Sequence, residues 1–177
     1  MERRKQNTIV GIWDEQGNWC DEKESIAHVA ISYFKNIYTT THSTQVEEVT
    51  AAIPSRVTDD MNERVDQVFT REEVVTTLKQ IHPTKAPGLN GMSALVYQKY
   101  WNVVGNGITN MVLNILNNNV LVAELNKTNI SLIPKTNSPK KMTDFHPISL
   151  CNVVYKLISK TLANRLKALL PHIIIKN

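Results

Sequence analysis

Apolar residues recur at three- and four-residue steps in several stretches of the chain, which is the pattern of helices with one buried side. These stretches are residues 24–38, 69–81, 93–104, 108–119 and 152–170, with a helix break expected near Gly105 and Gly107. In the last stretch the lysines fall on a different side from the apolar stripe. One side of that helix should therefore face a core, and the other should face water or phosphate.

Short apolar runs bounded by turn-forming residues predict strands in two places. Residues 128–133 and 146–150 flank a basic loop that contains Pro139. Residues 7–20 carry an apolar run, then a turn, then Trp19, which is the pattern of a second hairpin. The sequence therefore predicts an α+β fold that is mostly α-helical, with two small β-hairpins.

Two groups of polar residues predict helix starts. Thr70 and Glu73 are spaced as a capping box, in which each side chain bonds the backbone N–H of the other residue. Asp59 and Asp60 resemble the paired acids of a metal site, but they follow Thr58. Acidic side chains after a threonine suit the first turn of a helix, where free N–H groups lie. We therefore expect a structural role for both aspartates.

Several aromatic residues could either pack in a core or stack on nucleic-acid bases. Trp13 and Trp19 flank the turn of the first hairpin, and we expect them to pack against each other across it. Tyr97, Tyr100 and Trp101 are spaced at helical intervals, which is more typical of a core than of a stacking surface.

The net charge is +4, but it is distributed unevenly along the chain. Residues 126–177 contain nine lysines or arginines and one acid, Asp144, which gives +8. Residues 1–125 contain eleven basic and fifteen acidic side chains, which gives −4, and the two parts sum to +4. A C-terminal third this basic is typical of a phosphate-binding surface, although a solvated helix face has the same composition.

The length of 177 residues and the hydrophobic content of 42% suit one globular domain with a real core. The sequence has no apolar run of about 18 residues and no secretory signal, so we expect an intracellular protein, nuclear or cytoplasmic, and no membrane partner. Cys20 and Cys151 lack the spacing of a zinc site or a disulfide framework.

Four motifs carry a resemblance to a known family. Residues 85–88 read KAPG, residues 132–135 read LIPK, residues 144–156 read DFxPISLCNVxYK, and residues 158–167 read ISKxLANRLK. In this order they resemble the reverse transcriptase of LINE-type (non-LTR) retrotransposons, especially those of flowering plants. The resemblance is specific from residue 53 to the end and looser before it.

The resemblance implies a division of the chain and a set of substrates. Residues 1–44 would form a linker-like hairpin and helix that precede the polymerase. Residues 45–177 would form the N-terminal part of the reverse transcriptase domain, with the fingers and the beginning of the palm. The partners would be an RNA template, a DNA primer and a dNTP. In the complete family enzyme, palm carboxylates hold Mg²⁺. The chain has no match to them, so we expect no catalytic or metal-binding residue here and no activity from this chain alone.

The residues that the resemblance assigns to nucleotide or nucleic-acid binding are nearly all cationic. They are Lys85, Lys135, Lys140, Lys141, His146, Lys156, Lys160, Arg165 and Lys167. Among them, Lys135 and residue 146 would grip the triphosphate from two adjacent strands.

Three positions depart from the family pattern. His146 stands where the family has the arginine of F-R-P-I-S, and a neutral histidine lacks the guanidinium fork that binds phosphate. Alternatively, His146 simply packs in its loop. Leu89 and Asn90 replace the proline and aspartate of G-P-D-G-M.

Two other interpretations remain open. The chain could be a non-catalytic basic fragment that holds RNA or single-stranded DNA, or a decayed helical protein with no retained role. Phosphate contacts give binding a steep dependence on salt, which would distinguish these two.

Overall fold

The structure is a computed structural model that describes residues 8–40, 50–51, 55–120 and 122–174. It divides the chain into two compact units, each made from two separate stretches. The first unit combines Met1–Ala52 with Ile130–Ile148, and the second combines Ile53–Asn129 with Ser149–Asn177. The domain boundary predicted between residues 44 and 45 lies outside the described residues and stays a prediction.

Helices dominate the described part of the chain, and the strands form two small two-stranded antiparallel sheets. The predicted α+β, mostly helical fold is confirmed. The helices are α1 (Lys23–Tyr38), α2 (Asp59–Asp66), α3 (Arg71–Gln80), α4 (Ala94–Lys99), α5 (Trp101–Asn118), α6 (Ala123–Asn126) and α7 (Val153–Ile173). The strands are β1 (Ile12–Trp13), β2 (Trp19–Cys20), β3 (Asn129–Pro134) and β4 (Phe145–Leu150). No described helix is both long and apolar enough to cross a bilayer.

The first unit is built on the β1–β2 hairpin. The carboxylate of Asp14 accepts hydrogen bonds from the backbone N–H groups of Gln16 and Asn18, at 3.0 and 2.7 Å, which fixes the turn. Trp13 pairs with Trp19 across the hairpin, with ring centroids 5.1 Å apart and planes at 65°. The prediction that the two indoles pack against each other is confirmed.

The core of the first unit lies between this hairpin, α1 and the segment around β4. Ile12, Met142 and Phe145 are buried at its centre. One side of α1 packs against them through partly buried side chains, which include Val29 and Tyr33. The apolar face predicted for residues 24–38 therefore packs against a core, as expected.

The second unit packs α3, α5 and α7 around a common core. Its buried centre includes Val74, Leu78, Val112 and Leu157. The predicted capping box of α3 is present: Thr70 Oγ1 accepts from the N–H of Glu73 at 3.4 Å, and Glu73 Oε2 accepts from the N–H of Thr70 at 2.8 Å.

The two aspartates that resembled a metal pair lie in the first turn of α2, as predicted. Thr58 precedes them as the N-cap, and its hydroxyl oxygen accepts from the N–H of Met61 at 3.3 Å. Asp60 pairs with Arg64 one turn later, at 3.2 Å on an exposed surface. Acidic groups at this end of a helix stabilise its unpaired N–H groups.

Two predictions about residues 93–119 are wrong. The helix break falls at Tyr100, between α4 and α5, and both Gly105 and Gly107 lie inside α5. Tyr100 was also expected in the core, but 51% of it is exposed, while Tyr97 is buried and Trp101 is half-buried.

Candidate functional site

Strands β3 and β4 form a ribbon that carries several of the predicted cationic residues. We call residues 130–148 the basic ribbon. The backbone N–H of Lys135 donates to the carbonyl oxygen of Asp144 at 2.8 Å, which places these two residues opposite each other. Because side chains alternate between the two faces of an antiparallel ribbon, we infer from this hydrogen bond that Lys135, just after β3, and His146 share one face. Leu132 and Phe145 share the other face, and both pack in the core of the first unit.

Asp144, the one acid of the basic ribbon, is used within the turn. Its Oδ2 accepts from the backbone N–H groups of Lys140 and Lys141, both at 2.9 Å. These hydrogen bonds, first from Lys140 and then from Lys141, lower the pKa of Asp144, and the charges of Lys141 and Lys135 lower it further. The carboxylate is therefore ionised at neutral pH and occupied by backbone donors.

The lysines of the basic ribbon keep most of their binding capacity. Lys135, Lys140 and Lys141 are exposed, and none of them has a carboxylate within 4 Å among the described residues. Lys135 Nζ donates to the carbonyl oxygen of Thr143 at 3.0 Å, which uses one of the three N–H groups of an ammonium. His146 is exposed and is not packed in the loop.

A second group of lysines lies on α7, in the second unit. Successive helical residues are offset by about 100°, so Lys156, Lys160 and Lys167 fall within about 40° of one another. The buried residues Leu157 and Thr161 point elsewhere. The predicted separation between a lysine side and an apolar side of this helix is present only in part, because Lys156 and Lys160 are half-buried and the buried Val153 lies within about 20° of Lys160 around the helix axis.

The loop of residues 83–92 lies against the start of α7 and brings Lys85 to this region. Lys156 Nζ donates to the carbonyl oxygen of Ala86 at 2.7 Å. Gly88 fits closely, because a Cβ there would overlap the backbone nitrogen and side-chain oxygen of Asn152. Lys85 itself is exposed.

Asn90, which replaces an aspartate of the family pattern, has a defined role in this loop. Its N–H donates to Asn152 Oδ1 at 3.3 Å, and its Nδ2 donates to the Tyr97 hydroxyl at 3.2 Å. Its Oδ1 accepts from the N–H of Met92 at 3.2 Å. An aspartate could not donate to Tyr97 through its side chain, so the asparagine suits the loop as it stands.

Arg165, also predicted to bind nucleic acid, is fully engaged inside the second unit. Its Nε and one terminal nitrogen bond the two carboxylate oxygens of Glu73 at 2.7 and 2.9 Å. The remaining N–H groups donate to the carbonyl oxygens of Val65, Gln67 and Val68. A guanidinium has five N–H groups, and all of them are used.

The same guanidinium lies over the aromatic ring of Phe69. Its Cζ is 3.5 Å from the ring centroid of Phe69, and 12% of the side chain is exposed. Arg165 therefore holds the second unit together, and we leave it out of the phosphate-contacting set. Sequence reasoning found the Thr70–Glu73 cap but not this clamp, because Arg165 lies 92 residues from Glu73.

The donor set of the basic ribbon does not suit the Mg²⁺ ion that the family resemblance implies for the complete enzyme. Its carboxylate is bonded to backbone N–H groups, and its other charged side chains are cationic. Among the residues that the structure describes, no three His, Cys, Asp or Glu side chains are grouped as metal ligands would be.

The chain was compared with protein families and with known proteins. No protein-family model matches the chain. The chain is similar to the "Transposon TX1 uncharacterized 149 kDa protein" of Xenopus laevis, with 25% identity over 178 aligned residues. The alignment covers 98% of this chain and 14% of that protein, so the chain spans about a seventh of the relative's length. This similarity supports a transposon-derived protein.

Proposed function

We propose that the chain is the nucleotide-gripping, N-terminal portion of a LINE-type reverse transcriptase. In this role the basic ribbon contacts the triphosphate of an incoming dNTP, and the lysine side of α7 and Lys85 contact the phosphates of template or primer. The metal-dependent chemistry belongs to the palm carboxylates of the complete family enzyme, and we expect no primer extension by this chain alone.

The proposal is supported mainly by the hydrogen bonds of Asp144, the only acid of the basic ribbon. Asp144 bonds backbone N–H groups, so the ammonium groups of Lys135, Lys140 and Lys141 have no carboxylate partner within the described residues. Exposed lysines without a carboxylate partner are available for phosphate oxygens. The similarity to a transposon protein, over nearly the whole chain, favours a nucleic-acid context for them.

The shared face of Lys135 and His146 gives the proposal its sharpest test. A triphosphate held by Lys135 would lie within reach of residue 146, where histidine lacks the bidentate guanidinium fork of an arginine. His146→Arg would add a fixed positive charge with a bidentate fork on that face. We expect the variant to bind dNTP with Mg²⁺ about fivefold to tenfold more tightly, by titration calorimetry, since a charged hydrogen bond contributes about 1.5–3 kcal/mol before losses in side-chain entropy.

Ser149→Arg is the matched control, because it adds the same charge to the opposite face of the same strand. Its affinity for dNTP should stay within a factor of two of the original. Equal affinities for all three proteins, or an equal gain from both arginines, would overturn the assignment of the Lys135–His146 face to triphosphate.

A second candidate function is nucleic-acid binding without any nucleotide site. The lysine stripe of α7 favours it, because Lys156, Lys160 and Lys167 follow one line along a helix as phosphates follow a strand. This candidate would be favoured if the chain binds an oligonucleotide and His146→Arg does not raise its affinity for dNTP.

A further inference from the structure

Two grooves of similar size lie within the first unit, one beside each hairpin tryptophan. Each has a volume of 580 Å³, and they differ in charge. The groove beside Trp13 is lined by the acids Asp14 and Glu15 as well as by Lys141. The groove beside Trp19 is lined by Lys140, and no acid is among its described lining residues.

The indole of Trp19 is fixed in position although much of it faces solvent. Gly11 is buried against its six-membered ring, so closely that a Cβ at residue 11 would overlap the indole. Trp13 meets it edge to face on the hairpin. Even so, 42% of Trp19 is exposed. A large aromatic side chain held rigidly at a surface loses little conformational entropy when a planar ligand stacks on it.

A hydrogen bond holds the hairpin next to the basic ribbon. The N–H of Trp13 donates to the carbonyl oxygen of Lys140 at 2.8 Å. Trp19 and Lys140 therefore line the same groove, together with the polar side chains of Thr136, Asn137 and Ser138. The acid nearest in sequence to Lys140, Asp144, is occupied by backbone donors.

We propose that this groove, the Trp19 groove, binds single-stranded nucleic acid. One base stacks on the Trp19 indole, the adjoining phosphate contacts Lys140, and the polar loop side chains bond the sugar or the base edge. A stacking ring beside a cation is the arrangement by which proteins hold single strands without sequence preference. A duplex is excluded because its base faces are covered by neighbouring bases. The inference rests on the proposed function only for the choice of a nucleic-acid strand, since the site is separate from the Lys135–His146 face.

The experiment compares two fluorescent 12-residue strands, oligo(dT) and an abasic strand with the same phosphates. Anisotropy titrations at fixed salt measure both affinities for the whole chain and for Trp19→Leu. We expect Trp19→Leu to lose about tenfold in affinity for oligo(dT) and to bind the abasic strand as the original does, because stacking is removed and phosphate contacts remain.

Tyr100→Leu is the control, because it removes an exposed aromatic ring that does not line the Trp19 groove; 51% of Tyr100 is exposed. It should lose less than threefold for oligo(dT). Equal losses in the two variants, or no loss in Trp19→Leu, would overturn the proposal.

A second measurement needs no variant and so does not depend on the folding of a substituted hairpin. Photocrosslinking with a strand that contains 5-iodouracil joins the base to a stacked aromatic ring, and mass spectrometry identifies the peptide. We expect the crosslink at Trp19, and a crosslink confined to Trp101 or Tyr100 would contradict the proposal. If the chain binds the abasic strand and Trp19→Leu loses no affinity for oligo(dT), the Trp19 groove is rejected and the proposed function is not. The proposed function is tested separately by the affinity of His146→Arg for dNTP.

Discussion

The guanidinium of Arg165 illustrates how one residue can fit a family motif and still act differently from its expected role. It belongs to the LANRL motif and to the most basic third of the chain, yet every N–H group bonds an internal acceptor. Three of those acceptors are carbonyl oxygens at the end of α2 and just after it. Such carbonyls have no partner within their own helix, and Arg165 supplies one.

The partner of this clamp, Glu73, gives a prediction about pH. The pKa of Glu73 lies below its ordinary value of 4.5, chiefly because of the hydrogen bond from Arg165. A carboxyl group whose pKa is lower in the folded state contributes stability above pH 4.5, and this contribution is lost as the pH falls through the lowered pKa. Glu73→Gln keeps an acceptor for the capping box and removes the charge. We expect it to lower the free energy of unfolding by about 1–2 kcal/mol at pH 7, with the difference shrinking at pH 3, by urea denaturation.

Glu72→Gln removes the same charge from the same turn, where the side chain is exposed. It should change the free energy of unfolding by less than about 0.5 kcal/mol at either pH. A Glu73→Gln effect that is as large at pH 3 as at pH 7 would show that the clamp does not depend on the carboxylate charge.

At the scale of single elements, the sequence predicts features that depend on neighbouring residues. It does not predict features that depend on packing between distant residues. The Thr70–Glu73 cap spans three residues and was predicted correctly. The break between α4 and α5 was placed at glycines, because glycine lowers helix stability by about 1 kcal/mol. In the structure, Gly105 lies inside α5 and the indole of Trp101 packs on it. The break at Tyr100 has no comparable signal in the sequence.

The two glycines of α5 should respond in opposite directions to the same substitution. A Cβ at Gly105 would lie 2.7 Å from Cε2 of Trp101, so Gly105→Ala must displace a half-buried indole. A Cβ at Gly107 would meet nothing within 4 Å. We expect Gly105→Ala to cost about 1–3 kcal/mol and Gly107→Ala to gain about 0.5–1 kcal/mol, by thermal or urea unfolding. A gain in both variants would mean that Trp101 does not pack on Gly105.

The basic ribbon shows what the sequence revealed of the candidate site. Its two strands and its lysines were predicted from short apolar runs and from the family motifs. The shared face of Lys135 and His146 depends on strand register, which is set by the hydrogen bond from Lys135 to Asp144 and could not be read from composition. The internal use of the Asp144 carboxylate depends on the conformation of the turn. That detail decides whether the nearby lysines are available.

At the scale of the whole molecule, the charge separates into groups that belong to different units. Lys135, Lys140 and Lys141 lie in the first unit, while Lys85 and the three lysines of α7 lie in the second. All of these lysine side chains are at least partly exposed, so each group can contact phosphates by itself. Both groups should therefore contribute to the salt dependence of binding to a long single strand.

The salt dependence of strand binding measures the contribution of each group of lysines. For single strands, the logarithm of the association constant falls with the logarithm of salt concentration, with a slope of about −0.7 per phosphate contact. We expect the double variant Lys140→Gln/Lys141→Gln to make the slope for a 30-residue oligo(dT) shallower by about 1.4, and Lys160→Gln/Lys167→Gln to do the same through the other unit. The control is Lys23→Gln/Lys35→Gln on α1, which changes the net charge equally on a helix that bears no candidate site residue. An equal reduction by all three pairs would mean that the chain attracts nucleic acid through net charge alone, without a defined binding surface.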